Sequence, residues 1–173
     1  MTKRIASCLL VLFGLLLAAC GGGGGGGGAG GVGSGGTGIV AGFSVGPITG
    51  FGSIIVNGVT YDIDAATITL EDATDLQLGM VVEVRGTIDT ATGRGTAARV
   101  FSAADLRGAV GSIATTNTHF ELLGTTVRVD ETTIWSGVAN LAGVAVNDNL
   151  QIYGLLEAPG SVRATRIEKI TAA

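Results

Sequence analysis

The feature that most constrains the fold is an internal repeat whose two copies carry the two-residue periodicity of β-strands. Residues 56–68 align without gaps with residues 122–134, and residues 82–89 align with residues 150–157. The repeat period of about 66–68 residues is longer than that of typical solenoid units. We therefore interpret the sequence as the duplication of a small domain.

The alternation of apolar and polar residues predicts strands that each have one face on a core and one in water. In the first copy, the apolar positions of residues 82–89 are Val82, Val84 and Ile88. In the second copy, the matching positions are Leu150, Ile152 and Leu156. The alternate residues of the first of these strands are polar and are placed on the solvent side: Glu83, Arg85, Thr87 and Asp89.

Turn and bend signals separate these strands. Asn57-Gly58 lies between two β-branched runs and predicts a two-residue hairpin. Gly86 and Gly154 occupy matching positions inside strands, where glycine often marks a bulge or a sharp bend.

Each copy offers about five short strands in about 60 residues, too few for a flat sheet to cover its own apolar face. Closure into a barrel removes the exposed edges, and an OB-like barrel fits the strand count and the glycine bends. We predict an all-β chain with one barrel over residues 39–106 and a second over residues 107–173. The alternative is one larger β-sandwich built from both halves.

Three motifs carry a family resemblance. The segments 46–58 and 78–86, with the spacing Asp64-x-x-Thr67 between them, resemble an uncharacterised family of secreted bacterial β-domains. Domains of this kind often occur in tandem in Gram-negative lipoproteins. The resemblance covers residues 46–103 well and is diffuse over 108–170, where Asn147-Asp148-Asn149 replaces the Gly-Met-Val element. It implies no particular activity.

The N-terminus predicts export. Lys3 and Arg4 precede an apolar run over residues 5–19, which ends in Leu-Ala-Ala before Cys20. The arrangement resembles a bacterial lipoprotein signal, so we expect a helical signal peptide over residues 1–19 and lipid on Cys20. An ordinary signal peptide without lipidation is the alternative. By the same resemblance, Gly21 after the cysteine favours an outer-membrane lipoprotein facing the periplasm or the cell surface.

Residues 20–38 are predicted to form a disordered tether that begins with the lipidated cysteine. Fourteen of the 18 residues from 21 to 38 are glycine. Such a segment has no side chains for a core and loses much backbone entropy on ordering. We expect a flexible connection of roughly 25 Å root-mean-square length between the lipid and the folded domains.

Composition bounds the function. From Cys20 onward there are 8 basic and 14 acidic residues, a net charge of −6, so we expect no nucleic-acid partner. Because His119 is the only histidine and no unmodified cysteine remains, we expect no metal site and no cofactor, and we expect His119 in a solvated loop. The acidic residues of the first copy favour a solvated surface over a weak calcium site: Asp62, Asp64, Glu71, Asp72 and Asp75.

Two aromatic residues of the second copy are the candidate ligand platform. Tyr153 falls on the predicted solvent side of its strand, and Trp135 follows Ile134. Such side chains stack on sugars or bases, although covering the seam between the two copies is the favoured alternative. We also expect Asp64 and Asp130 to accept hydrogen bonds at turns.

These patterns predict a lipid-anchored binding module of the cell envelope without enzymatic activity. Its expected partners are the membrane, through lipid on Cys20, and an envelope protein or glycan. A structural spacer in a surface assembly is one alternative. A hydrolase that uses the neighbouring carboxylates of Asp62 and Asp64 is the other.

Overall fold

The computed structural model describes residues 38–171, which fold into strands and one short 3₁₀ helix. The predicted signal peptide, Cys20 and residues 21–37 of the predicted tether lie outside the described residues. The first repeat contains β1 (Ile39–Gly50), β2 (Ile54–Val56), β3 (Val59–Asp62), β4 (Thr67–Leu70), β5 (Val81–Asp89) and β6 (Arg94–Ser102). The second repeat contains β7 (Leu106–Ile113), β8 (His119–Leu122), β9 (Thr125–Arg128), β10 (Ile134–Ser136), the 3₁₀ helix (Leu141–Gly143), β11 (Asn149–Ala158) and β12 (Ser161–Lys169).

Each repeat forms its own closed sheet. In the first, the order β1-β2-β3-β6-β5 returns to β1, because β3 pairs in parallel with the start of β6. The second repeats this order as β7-β8-β9-β12-β11. The short strands β4 and β10 pair with the later parts of β6 and β12. The OB-like prediction is confirmed, and the single larger sandwich is not formed. Leu106 begins the second sheet, one residue before the predicted boundary.

The paired glycines occupy the predicted bends. The register between β5 and β6 shifts at Gly86, and that between β11 and β12 shifts at Gly154. A Cβ atom on Gly86 would lie 2.0 Å from the carbonyl oxygen of Thr96, and one on Gly154 would lie 2.7 Å from that of Arg163. Only glycine lets the two strands approach so closely at the bend.

The two β-hairpin turns differ in the suitability of their first residue. Asn57 and Gly58 adopt φ values of 51° and 79°, as the predicted hairpin requires. Leu123 and Gly124 adopt φ values of 52° and 75° in the second repeat. Leucine is poorly suited to a positive φ, so the second turn carries backbone strain that asparagine avoids in the first.

Each barrel has a core of its own. The first core is built on buried aliphatic residues, among them Ile48, Ile54, Val56, Val82 and Val84. The second is built on Val110, Phe120, Leu122, Leu150, Ile152 and others. Tyr153 is the exception: its sequence position is in the second repeat, but its side chain is buried in the first core.

The outer face of β11 and β12 packs against one end of the first barrel and forms the seam between the repeats. Gln151 Nε2 donates to the carbonyl oxygen of Asp72 at 3.0 Å and to the hydroxyl oxygen of Tyr153 at 2.9 Å. Thr165 Oγ1 donates to the carbonyl oxygen of Gly79 at 2.6 Å. The seam therefore combines the Tyr153 side chain, buried in the first core, with specific polar contacts. It joins the repeats into one packed unit.

Arg166 is the charged residue of the seam and is only 4% exposed. Its Nη1 atom donates to the carbonyl oxygen of Leu78 at 3.3 Å, and its Nη2 atom donates to Gln77 Oε1 at 3.1 Å. Glu168 pairs with the same guanidinium at 3.3 Å. These partners compensate part of the loss of hydration that burying the charge entails, whereas Arg166 Nε is buried without a hydrogen-bond partner.

Candidate ligand-binding face of the first repeat

The outer face of β1, β5, β6 and β4 in the first repeat is a continuous exposed surface with two rows of side chains. Strand register defines each row, because residues directly opposite one another on neighbouring strands share a face. The first row, running across the four strands, is Phe43, Arg85, Arg99 and Thr67. The second row is Val45, Glu83, Phe101 and Thr69. We call these eight residues the two-row face.

The two-row face combines positive charge with exposed aromatic rings. The Arg85 guanidinium lies 5.3 Å from the ring centroid of Phe43 and also pairs with Glu83. Phe43 is 59% exposed and Phe101 is 38% exposed. Among residues 38–171, no carboxylate lies within ion-pair distance of Arg99. The face therefore offers one unpaired and one partly neutralised guanidinium.

A shallow groove of about 380 Å³ runs over this face. Side chains of both rows line it, together with Val100. The groove is open to solvent, and its mixture of hydroxyl, guanidinium and aromatic groups provides both hydrogen bonding and stacking. The arrangement is suited to holding a ligand and includes no recognisable nucleophile–base pair.

The central part of the same face is buried in the seam in the second repeat. By strand register, Tyr153 takes the place of Arg85, and Arg166 takes the place of Arg99. Gln151 likewise replaces Glu83. Duplication has therefore given one copy of this face to internal packing and has left the other copy exposed.

Because Gly79 has no side chain, the two repeats can approach closely at the seam. Its φ is +80°, and a Cβ atom there would lie 2.6 Å from the carbonyl oxygen of Thr165. The equivalent position in the second repeat is Asn147, whose φ is 72°. The second repeat therefore carries a side chain at the position where the first repeat has none.

This end of the second barrel is also more polar. Asp148 stands where the first repeat has the buried Met80. Lys169 Nζ donates to Asp148 Oδ2 at 2.7 Å, and the Ala145 amide donates to the same oxygen at 2.8 Å. These hydrogen bonds hold the pKa of the Asp148 carboxyl below its usual value. A charged, hydrogen-bonded end is typical of the terminal cap of a repeat array.

The structure corrects the predicted aromatic platform. Tyr153 is 1% exposed and its side chain lies in the first core, so it does not belong to a solvent-facing platform; the favoured alternative, that it covers the seam between the copies, is confirmed. Trp135 is half-buried and packs against the second core. The two side chains serve different cores and form no joint platform. Burial raises the pKa of the Tyr153 hydroxyl, against the opposing effect of its hydrogen bond with Gln151.

The other singled-out residues lie away from the two-row face or have structural contacts. His119 begins β8 and is half-buried, with Nδ1 lying 3.2 Å from Thr118 Oγ1, so its predicted solvated loop is wrong. Within residues 38–171, no three His, Cys, Asp or Glu side chains form a metal-binding group.

The predicted turn aspartates behave differently in the two copies. Asp130 Oδ1 accepts from the amide of Thr132 at 2.8 Å and from its hydroxyl at 2.6 Å, which confirms that half of the prediction. These bonds lower the pKa of the Asp130 carboxyl. In the first copy, the carboxylate that accepts a hydrogen bond at the turn is that of Asp62, whose Oδ1 accepts from the amide of Asp64.

One member of the acidic group supports the junction of the repeats. Asp72 Oδ2 accepts from the amide of Ala104 at 3.0 Å, and its Oδ1 atom lies 3.4 Å from Arg107 Nη1. Its backbone carbonyl accepts the seam bond from Gln151. Asp72 therefore has local partners in the link between the barrels.

Sequence reasoning missed Phe43, Phe101 and Arg99 as site residues. A usable signal was present: Phe43 and Val45 alternate with Gly42, Ser44 and Gly46, which places the small residues inward and the large apolar ones outward. An apolar outward row on a strand that is not in a seam indicates a contact surface.

The lipidation site cannot be placed on this geometry, because Cys20 lies outside the described residues. Within residues 38–171, no helix is long and apolar enough to span a membrane.

Comparison with known families agrees with the duplication seen in the strand order. Residues 38–100 and residues 107–168 each match the domain of unknown function DUF5666. No curated protein gives a significant match. Since the two matched segments cover most of the chain and coincide with the two barrels, the chain belongs to the DUF5666 family and carries two of its domains in tandem.

Proposed function

We propose that this protein is a lipid-anchored binding module of the cell envelope, without enzymatic activity, whose ligand docks on the two-row face. The observation that carries the proposal is the contrast between the copies. The second repeat uses this face to pack against its neighbour, whereas the first repeat leaves it exposed with two phenylalanines and two arginines.

The anchor rests on the residues around Cys20. The apolar run, the Leu-Ala-Ala tripeptide and the cysteine are those that lipoprotein processing requires. Several acyl chains on one cysteine hold a protein stably at a membrane. The glycine-rich segment then allows the two-repeat unit to reach envelope components near the lipid surface. We place the protein at the outer membrane, facing the periplasm or the cell surface.

The anchor is tested by labelling cells with radioactive palmitate. The wild-type chain should incorporate label, and the Cys20→Ala variant should incorporate none. Equal labelling of both proteins would refute lipidation at Cys20.

The binding face is tested by a photo-crosslinking amino acid placed at Phe101, with the same amino acid at Leu156 as the matched control. Leu156 lies on the second repeat and is 78% exposed, so its predicted position on the core side of the strand is wrong. We expect a discrete adduct from position 101 and none from position 156. Equal adducts at both positions, or none at position 101, would contradict a ligand on the two-row face.

A structural spacer is the second candidate, and the seam is the observation that favours it. Two barrels joined by buried contacts make a stiff unit that is suited to setting a distance. A spacer would leave position 101 without a crosslinked ligand, and seam variants would disturb surface assembly while two-row-face variants would not.

A further inference from the structure

The two arginines of the two-row face are placed where proteins usually avoid equal charges. Arg85 and Arg99 lie directly opposite each other on β5 and β6. Like charges at opposed positions of neighbouring strands destabilise a sheet. Glu83 neutralises part of this pair through Arg85, and Arg99 has no carboxylate partner among residues 38–171. A bound anion would relieve the repulsion.

The location of positive charge in the first repeat points to the same ligand chemistry. Residues 39–106 contain 3 basic and 8 acidic residues, and two of the three basic residues lie on the two-row face. The third, Arg94, lies at the start of β6, opposite Asp89. Positive charge is therefore concentrated on this face of an otherwise acidic domain, which complements an anionic ligand.

The groups around the arginines fit a sugar chain. Phe43 and Phe101 offer exposed apolar rings, and Thr67 and Thr69 add hydroxyl groups along the outer strand of the groove. A pyranose ring has an apolar face and a rim of hydroxyls, and a uronic acid adds a planar carboxylate that matches a guanidinium in bidentate geometry.

We infer that the ligand of the two-row face is an anionic polysaccharide of the uronic-acid type. This inference rests on the proposed binding role of the face and adds the chemical class of the ligand. Arg99 holds a carboxylate, Arg85 supports it from the neighbouring strand, and Phe101 stacks against a sugar ring. Nucleic acids are disfavoured because their binding depends on many phosphate contacts from a basic surface, which this acidic chain lacks.

The inference is tested by calorimetric titration of the full chain, purified in detergent micelles, with three hexamers: a hexauronate, neutral maltohexaose and hexathymidylate. We expect saturable binding of the hexauronate that weakens about tenfold between about 50 and about 500 mM salt, since screening reduces exposed charge interactions. Maltohexaose should bind at least about tenfold more weakly, because it lacks the carboxylates.

Variants locate the site. Arg99→Gln should weaken hexauronate binding at least about tenfold, and Arg99→Lys should give an intermediate affinity, because lysine keeps the charge and loses the bidentate geometry. Phe101→Ala should weaken binding about fivefold or more through loss of stacking. Arg94→Gln is the matched control for net charge and should leave the affinity unchanged. Unchanged thermal unfolding shows that each variant is folded.

Three results would overturn the inference. Equal binding of maltohexaose would remove the need for an anion, and tighter binding of hexathymidylate would assign the face to nucleic acid. Failure of all three hexamers to bind, with the crosslink at position 101 still formed, would refute the polysaccharide and leave the binding role intact. Loss of both the crosslink and the hexauronate binding would refute the proposed function itself.

Discussion

The two repeats have the same strand order but use the same outer face in opposite ways. In the second repeat, this face carries Tyr153 and Arg166, and both are buried against the first barrel. In the first repeat, the equivalent positions are Arg85 and Arg99, and both are exposed. The difference shows that the same outer face can serve as an internal interface in one copy and remain open to solvent in the other.

The two barrels also differ at the end where the first barrel contacts the second repeat. The first barrel ends in Gly79 and Met80, which allow the second repeat to approach closely. The second ends in Asn147 and Asp148, which carry a side chain and a charge at the matching places. The two repeats therefore share one internal seam, and the second barrel has a polar end. The two-row face is the surface whose equivalent in the second repeat forms the seam.

Replacing Tyr153, which is buried in the first core, should destabilise the protein most. Tyr153→Ala should lower the free energy of unfolding by about 3–5 kcal/mol, because it leaves a cavity in the first core and removes one of the two hydrogen bonds of Gln151 Nε2. Arg85→Ala, at the equivalent position of the first repeat, should change it by less than about 1 kcal/mol, since an exposed charge contributes little. Urea unfolding measures both. Similar losses for the two variants would refute the contrast between the faces.

Gly79 offers a test of the seam with a smaller expected effect. Gly79→Ala should lower the free energy of unfolding by about 2–4 kcal/mol, since it combines a positive φ with a clash against the Thr165 carbonyl. Gly93 has a similar φ of +67° with nothing within 4 Å, so Gly93→Ala should lose only about 1 kcal/mol. Thermal unfolding at matched pH separates them. Equal losses would mean that the seam tolerates a side chain at Gly79.

The smallest expected effect compares the hairpin turns. Leu123→Asn should raise the free energy of unfolding by about 0.5–1 kcal/mol, because asparagine accepts a positive φ more readily than leucine. The reciprocal change, Asn57→Leu, should lower it by about 1–2 kcal/mol, since it also removes the bond from Asn57 Nδ2 to the Val45 carbonyl. Chemical denaturation measures whether the two variants change the free energy of unfolding in opposite directions. A loss of stability in Leu123→Asn would contradict backbone strain at Leu123.

Local patterns in the sequence predicted much of the fold. The Asn57-Gly58 turn, the bends at Gly86 and Gly154 and the alternation in β5 each depend on neighbouring residues, so the chain itself displays them. Alternation placed Tyr153 on the outer face of β11 but left two interpretations open, ligand platform or seam, because it does not reveal what covers that face. The candidate site was missed for the same reason: an outward Phe43 gains meaning only when its neighbours on other strands are known.

The duplication, the strands and the closure of each copy are predictable from the amino-acid sequence, since the two-residue period, the glycines and the turn residues act over short distances. The sequence also contains the cysteine context that predicts the anchor. Which outer face is buried and which is exposed becomes visible only in the packed structure. That outcome depends on contacts between residues more than 70 positions apart, such as Thr165 with Gly79 and Gln151 with Asp72, and no local pattern encodes such contacts.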